Sequence, residues 1–323
     1  MRKSPESFNG KGYPDFQEHL TALDSAGLIQ KIDHPINKDT EMHPLVRWQF
    51  RGGIPEPNRK AFVFKNITCS RGRSYGLPVA VGALSANREI YSIGIGAPVE
   101  EIGEVWKNAI ANPIPPRLIA EAPCHDVVIT GADLEGDGKG LDSLPIPIST
   151  PGFDSAPYFT ATGCISRNPE TGIQNMGTYR AGLKSPTRMA VRMSVRSGGA
   201  EGHQHWLKYK ERGEKMPMAI ILGGPPSVCY CAPQKLQLGV DEIAVAGGIV
   251  NCPINVVQAK TIDLLVPAES EIVVEGFIDP EFLEPEAPFG ESHGHIALED
   301  YNNIMDITAI TYRKHAVLPS IIS

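Results

Sequence analysis

Asn112-Pro113-Ile114-Pro115-Pro116 divides this chain into two textures. Proline lacks an N–H, locks its own φ and pushes the residue before it toward extended backbone, so neither a helix nor a central strand continues through this stretch. Upstream the pattern mixes helix and strand. Asp15-Phe16-Gln17-Glu18 reads as a capped helix start, followed by Phe16, Leu20 and Leu23 at helical spacing. Gly27 stops that helix, and Leu28-Ile29-Gln30-Lys31-Ile32 alternates like a strand. The spacing predicts a second helix over 98–111, with proline in its first turn and Val99, Ile102, Trp106 and Ile110 on one stripe.

Downstream of the prolines, segments rich in β-branched residues recur at 125–130, 158–165, 218–222, 255–266, 271–278 and 304–312. Glycine, proline, asparagine and aspartate punctuate them, which predicts a mostly antiparallel barrel or sandwich. Two helices interrupt it, one over 203–213 closed by Gly213 and a shorter one over 241–245 capped by Asp241. The chain therefore reads as α+β, with an N-terminal α/β domain over 1–116 and a β-rich domain over 117–323. The final stretch, Ala316-Val317-Leu318-Pro319-Ser320-Ile321-Ile322-Ser323, stops inside apolar sequence, where a polar tail is the common ending, so further chain is expected beyond it.

Composition narrows the function classes. The net charge of −7 opposes a nucleic-acid or acidic-membrane footprint, which needs positive surface. No run of eighteen apolar residues exists to form a membrane helix, and no apolar segment follows the basic start as in a secretory signal. Six cysteines (Cys69, Cys124, Cys164, Cys229, Cys231 and Cys252) are scattered with no C-x-x-C pair, so they read as free thiols in a reducing cytoplasm. Cys229 and Cys231 would share one side of an extended segment. The phosphate-binding P-loop, the complete dinucleotide fingerprint, the G-x-S-x-G elbow and the H-E-x-x-H helix are all absent.

What remains is a set of charged residues in glycine- and proline-rich strings. Asn175-Met176-Gly177-Thr178-Tyr179-Arg180 places an amide and a guanidinium around a glycine. Pro285-Glu286-Ala287-Pro288-Phe289-Gly290-Glu291 places two carboxylates five apart across a turn, with His293 and His295 following. Rigid loops of this kind commonly carry functional side chains. The plain alternative makes Glu286 and Glu291 surface turn acids and Arg180 an ordinary ion-pair partner. The pairs His203/His205 and His293/His295 would each share a face of a strand, but no spacing rule joins the two pairs into a metal site.

These two strings resemble the signature segments of the UbiD-type decarboxylases, which use prenylated FMN. Further matching segments occur in order: Leu144 to Ile148, Asp154 to Thr160, Gly223 to Pro226, Asp241 to Gly247 and Val266 to Gly276. The resemblance covers essentially the whole chain and is strongest from Leu144 onward. It implies an N-terminal α/β domain, a middle domain built as a flavin-reductase-like split β-barrel, and a C-terminal domain that this chain lacks. It also implies non-oxidative decarboxylation, or the reverse carboxylation, of an aromatic or heteroaromatic acid.

Removing CO2 from an sp2 carbon leaves an electron pair that no side chain can delocalise, so an organic cofactor must take it. By resemblance, Arg180 positions the reacting carboxylate, Glu291 is the proton donor and Glu286 pairs with Arg180. Two acids in one pocket repel, so one binds a proton more readily unless Arg180 satisfies both. Asn175, Met176, Thr178, Tyr179, Arg180, Arg196, Ser227 and Glu242 correspond to the flavin-binding positions. Asn175 and Glu242 correspond to ligands of a divalent ion, Mn2+ or Mg2+, that bridges the flavin phosphate beside a monovalent cation such as K+. The third ligand in the family is a histidine, and Arg196 stands in its place here. An arginine stays protonated and cannot ligate a metal, so Arg196 is expected to bind phosphate directly. His203 and His205 are alternative ligands, displaced seven and nine residues along the chain. The implied partners are a small aromatic acid, CO2, a flavin prenyltransferase as cofactor supplier, and a second copy of the full-length chain. Two rival readings are a non-catalytic, cofactor-holding subunit of a larger carboxylase, and a plain flavin reductase. Neither accounts for Arg180, Glu286 and Glu291 together.

Overall fold

The computed structural model describes residues 9–194, 199–286, 288–298 and 300–322. Its N-terminal part is built around a four-stranded sheet in the order Ile29–Ile32, Ala61–Phe64, Val79–Val81, Leu318–Ser320. The first and last pairings are parallel and the middle one antiparallel. The helix Phe16–Ser25 starts where predicted, with Asp15 Oδ1 accepting from Glu18 N at 2.8 Å. Phe16 and Leu23 pack with Ala80 and Ile90 in a core of their own. The closing strand Leu318–Ser320 lies beside Val79–Val81, so the end of the described chain is built into the sheet of its beginning.

The rest of the molecule is organised by one nine-stranded antiparallel sheet. Its path runs Gln174–Gly177, Thr162–Arg167, Met216–Leu222, Ile272–Glu286, Asp300–Tyr312, Arg188–Val191, Ala181–Ser185, Tyr158–Phe159, with Val127–Thr130 on the far half of Asp300–Tyr312. Among the described residues the two ends of this path do not pair, so the sheet is a split barrel. Period-2 alternation gives it two apolar faces. Met218, Ile220, Leu222 and Val274 enter one core with Trp206, from the helix Glu201–Arg212. Ala219, Ile221 and Val273 enter the other with Val245 and Ile249, from the helix Glu242–Val250. Among the described residues no helix is long and apolar enough to cross a membrane.

Three local expectations need correction. The helix Ile102–Ala111 buries Ala109, while Val99 and Ile110 of the expected stripe are exposed. The reason is close approach: a Cβ on Gly248 would meet Ala109 Cα at 2.9 Å, so small residues form the crossing and large ones its rim. Cys229 and Cys231 lie on the short helix Pro226–Cys231, not on an extended segment. The 285–291 and 175–180 strings are largely strand: Gln174–Gly177 pairs with Thr162–Arg167, and Pro285 and Glu286 end the long strand Ile272–Glu286. Cross-strand partners supply the backbone hydrogen bonds that local glycine and proline content had assigned to loops.

Candidate active site

Arg180 follows the strand Gln174–Gly177, and Glu286 ends the long barrel strand. Arg180 Nε donates to Glu286 Oε1 at 2.9 Å and Nη2 to Glu286 Oε2 at 2.8 Å, a bidentate pair. Its Nη1 donates to Glu291 Oε1 at 2.5 Å. Asn302 Nδ2 adds a bond to Glu286 Oε2 at 3.0 Å, and the Arg192 guanidinium stands 3.8 Å from the same oxygen. The Phe289 ring lies 4.2 Å from Arg180 Cζ and packs on Tyr158 at 4.6 Å between centroids. Burial works against the Arg180 charge, but the two carboxylates outweigh it and hold its proton above the ordinary arginine range. The acids differ in access. The Glu286 side chain is 2% exposed and the Glu291 side chain 30%. Glu286 is thus committed to Arg180 and Asn302, whereas Glu291 reaches solvent and any bound molecule.

Glu291 is held through its backbone. Asp154 Oδ1 accepts from Gly290 N at 2.8 Å, Ser155 N donates to Pro288 O at 3.0 Å, and Glu291 N donates to His295 O at 2.8 Å. Gly290 is required here because a Cβ would meet Thr150 Oγ1 at 2.4 Å. Asn302, Phe289 and Asp154 were not among the predicted site residues. Asp154 lies inside a segment that carries the family resemblance, so a signal existed. No spacing brings Asn302 to Glu286, because the register shifts between Ile278 and Leu283.

The second group of predicted residues gathers on the other side of the strand Thr162–Arg167. Asn175 sits opposite Ser166 and is buried, and among the described residues its Nδ2 has no hydrogen-bond partner. Glu242, the first residue of its helix, accepts from Met176 N at 2.8 Å through Oε2. Burial pushes the Glu242 carboxyl up to about 7, the Met176 N–H opposing it. His205 bonds Ser166 Oγ at 2.9 Å through Nδ1, and its buried Nε2 stands 3.6 Å from Glu201 Oε1. Nδ1 of His203 and Oγ of Ser227 are likewise buried without a hydrogen-bond partner among the described residues. Thr178 Oγ1 donates to Thr162 O at 2.9 Å, and the Tyr179 hydroxyl accepts from Gly202 N at 3.2 Å. Arg196 lies outside the described residues. The rings of His293 and His295 meet edge to face near Glu291 in the chain, well separated in sequence from the helix that carries His203 and His205.

Thr178 also lines a small groove together with Thr162, Gly163, Gly223, Val228 and Cys229. Glycines pack closely in its wall: a Cβ on Gly163 would meet Ile221 at 2.8 Å, and Gly223 has a φ of 71°. The Ser227 hydroxyl and the Asn175 amide, buried without a hydrogen-bond partner among the described residues, suit a bound polar group. Asn175 and Glu242 offer hard oxygens side by side. Among the described residues no group of three or more His, Cys, Asp or Glu side chains could hold a metal ion, so such an ion would draw its remaining ligands from phosphate or water.

A model of the UbiD family (3-octaprenyl-4-hydroxybenzoate carboxy-lyase Rift-related domain) matches residues 117–323. An evolved dimeric form of the UbiD-class enzyme HmfF from Pelotomaculum thermopropionicum, in complex with prFMN, superposes with a TM-score of 0.85 at 27% identity. The match covers 96% of this chain and 68% of that one. A second HmfF structure, in complex with FMN, gives 0.83 at 28% identity over 95% of this chain and 64% of that chain. The vanillic acid decarboxylase of Sedimentibacter hydroxybenzoicus in its closed form shares the fold at 0.86 and 23% identity, over 96% of this chain and 64% of that chain. This chain therefore spans 64 to 68% of the length of these solved chains. By the family match and these structural likenesses, the chain belongs to the UbiD family of carboxy-lyases.

Proposed function

We propose that this protein is a prenylated-FMN-dependent decarboxylase, reversible in principle, acting on an aromatic or heteroaromatic carboxylic acid. The observation that carries the proposal is the division of Arg180 between a sequestered carboxylate and an accessible one. Three of its five N–H donors are used, which leaves two for the oxygens of a substrate carboxylate. Glu286 fixes the plane of the guanidinium and is itself fixed by Asn302. Glu291, at the open side, gives its proton to the carbon that CO2 leaves, and Phe289 shields the Arg180 face from water. Prenylated FMN in the groove would supply the electron sink that no side chain offers. Complexes of HmfF with prFMN and with FMN support that choice of cofactor.

In this reading Met176, Thr178, Tyr179 and Ser227 line the flavin site. Asn175 and Glu242 would hold Mn2+ or Mg2+ at the phosphate, with water completing the coordination, Arg196 meeting the phosphate directly and K+ as a second cation. We also place the domain division at 116/117, supported by the start of the family match at residue 117. The cofactor would come from a flavin prenyltransferase, and the full-length protein would act in the cytoplasm as a homo-oligomer. The test is Glu291→Gln in flavin-loaded protein. The variant is expected to retain the cofactor while losing turnover and exchange of the substrate carbon's proton with solvent deuterium. Unchanged exchange would remove Glu291 from its role.

A further inference from the structure

A tight turn at Thr150 to Asp154 stands between the N-terminal helices and Glu291. Phe153 N and Asp154 N both donate to Thr150 O, at 3.0 and 2.9 Å, which closes the turn. The Asp154 side chain folds back over it. Its Oδ2 accepts from Ser149 N at 3.0 Å and Thr150 N at 2.8 Å, and its Oδ1 accepts from Gly290 N at 2.8 Å. One oxygen therefore holds the turn and the other holds the residue before Glu291. Only an ionised carboxylate does both. An asparagine has a single acceptor oxygen, and its amide would point donors at the N–H groups on one side or the other.

The far side of the turn is gripped by the helix Met42–Arg51. Arg47 Nη2 donates to Ser149 O and Thr150 Oγ1, both at 3.1 Å. The buried His43 bonds Ser149 Oγ at 2.8 Å through Nδ1 and Ser320 Oγ at 2.9 Å through Nε2. Ser320 ends the strand Leu318–Ser320 of the N-terminal sheet. Thr150 in turn packs on Gly290, where an added Cβ would come within 2.8 Å of Thr150 Cβ. The backbone entering Glu291 is thus set by one bond and one contact from a turn that the N-terminal part holds. Arg180 has a different support, the bidentate pair with Glu286 at the end of the strand Ile272–Glu286. The cation and the accessible acid reach each other from separate foundations, so one can shift without the other.

We propose that Asp154 is a positioning residue for Glu291, and that through it the helix Met42–Arg51 sets where Glu291 stands relative to Arg180. The purpose of that placement rests on the decarboxylase reading, but the clamp is tested without turnover. Amide hydrogen exchange is followed by mass spectrometry in the flavin-loaded full chain, as wild type, Asp154→Asn and Arg47→Gln. Asp154→Asn is expected to speed exchange over residues 288–295 about tenfold while the strands Thr162–Arg167 and Met216–Leu222 keep their protection. Arg47→Gln leaves Asp154 in place, and should give the same local pattern at about threefold, whether or not Asp154→Asn folds. With an acid that the wild type decarboxylates, Asp154→Asn should lower kcat about tenfold and leave KM unchanged, since Arg180 keeps its pair with Glu286. Unchanged exchange over 288–295 in both variants, equal acceleration in the barrel strands, or a raised KM at unchanged kcat would each overturn the proposal. If the wild type releases CO2 from no acid, the decarboxylase reading fails, and the exchange pattern still decides the clamp.

Discussion

Arg180 joins two carboxylates of unlike burial, and the consequences of substitution should differ for each. Arg180→Ala leaves Glu286 buried with Asn302 and only the more distant Arg192 charge in place of its bidentate partner, so it is expected to lose about 3 kcal/mol of stability in urea unfolding. Arg180→Lys keeps the charge but not the fork. It should fold, retain flavin, and lose about a hundredfold in kcat, because a point charge cannot hold two planar partners in register. Near-native kcat in that variant would mean that the bidentate pair is structural only. Arg180, Glu286 and Glu291 were legible in the sequence because they stand in short strings that resemble a known family. Asn302 and Asp154 were not assigned roles, since each reaches the site through a register or a turn visible only once the strands pair.

Secondary-structure elements hold these residues in place by close contacts and buried polar groups. Gly276 stands at a bulge where a Cβ would meet the Asp306 carbonyl oxygen at 2.1 Å. Backbone cannot rotate away as a side chain can, so Gly276→Ala is expected to cost about 2 kcal/mol or more, read as a lower urea midpoint. His43, on the helix Met42–Arg51, is fully buried and bonds Ser149 Oγ at 2.8 Å and Ser320 Oγ at 2.9 Å. Burial lowers it to about 3, with the nearby Arg47 charge adding to the effect. The unfolded chain then binds a proton near 6.5 that the folded chain refuses. The His43 contribution to stability is therefore complete above pH 6.5 and is lost as pH falls toward 3, at about 1.4 kcal/mol per unit. Glu271, pushed up to about 7 by burial with Arg313 opposing, acts in the reverse sense between 4.5 and 7. A comparison with His43→Asn at pH 6 and pH 5 isolates the histidine. The wild-type advantage should shrink by about 1.4 kcal/mol, and a constant difference would show that His43 is not neutral in the fold. Helix caps at Asp15 and Asp241 were readable from local chemistry. The Ala109 crossing was not, because a stripe of large apolar residues says nothing of where two backbones can touch.

At the scale of the whole molecule, the N-terminal helix is tied to the barrel by a buried ionic cluster. Arg313 Nη1 meets Glu271 Oε1 at 3.1 Å and Asp15 Oδ2 at 3.0 Å, while Gln17 Nε2 donates to Glu271 Oε2 at 2.9 Å. Arg313→Ala should destabilise by about 3 kcal/mol, since Glu271 is fully buried, and should loosen the helix Phe16–Ser25 as read by amide exchange. The α+β class was legible because the texture changes at Asn112 to Pro116. That Leu318–Ser320 completes the first sheet was not, since a three-residue strand carries almost no periodic signal. We propose that this assembly holds prenylated FMN and uses Glu291 to protonate the carbon that loses CO2. Its most direct test is anaerobic loading of the protein with prenylated FMN and with plain FMN in parallel, followed by absorption spectra, cofactor mass and CO2 release from a panel of aromatic acids. The protein is expected to retain the prenylated form preferentially and to release CO2 from at least one acid only in that sample. Equal retention of both flavins, or no CO2 from any acid in a sample that holds the prenylated form, would contradict it.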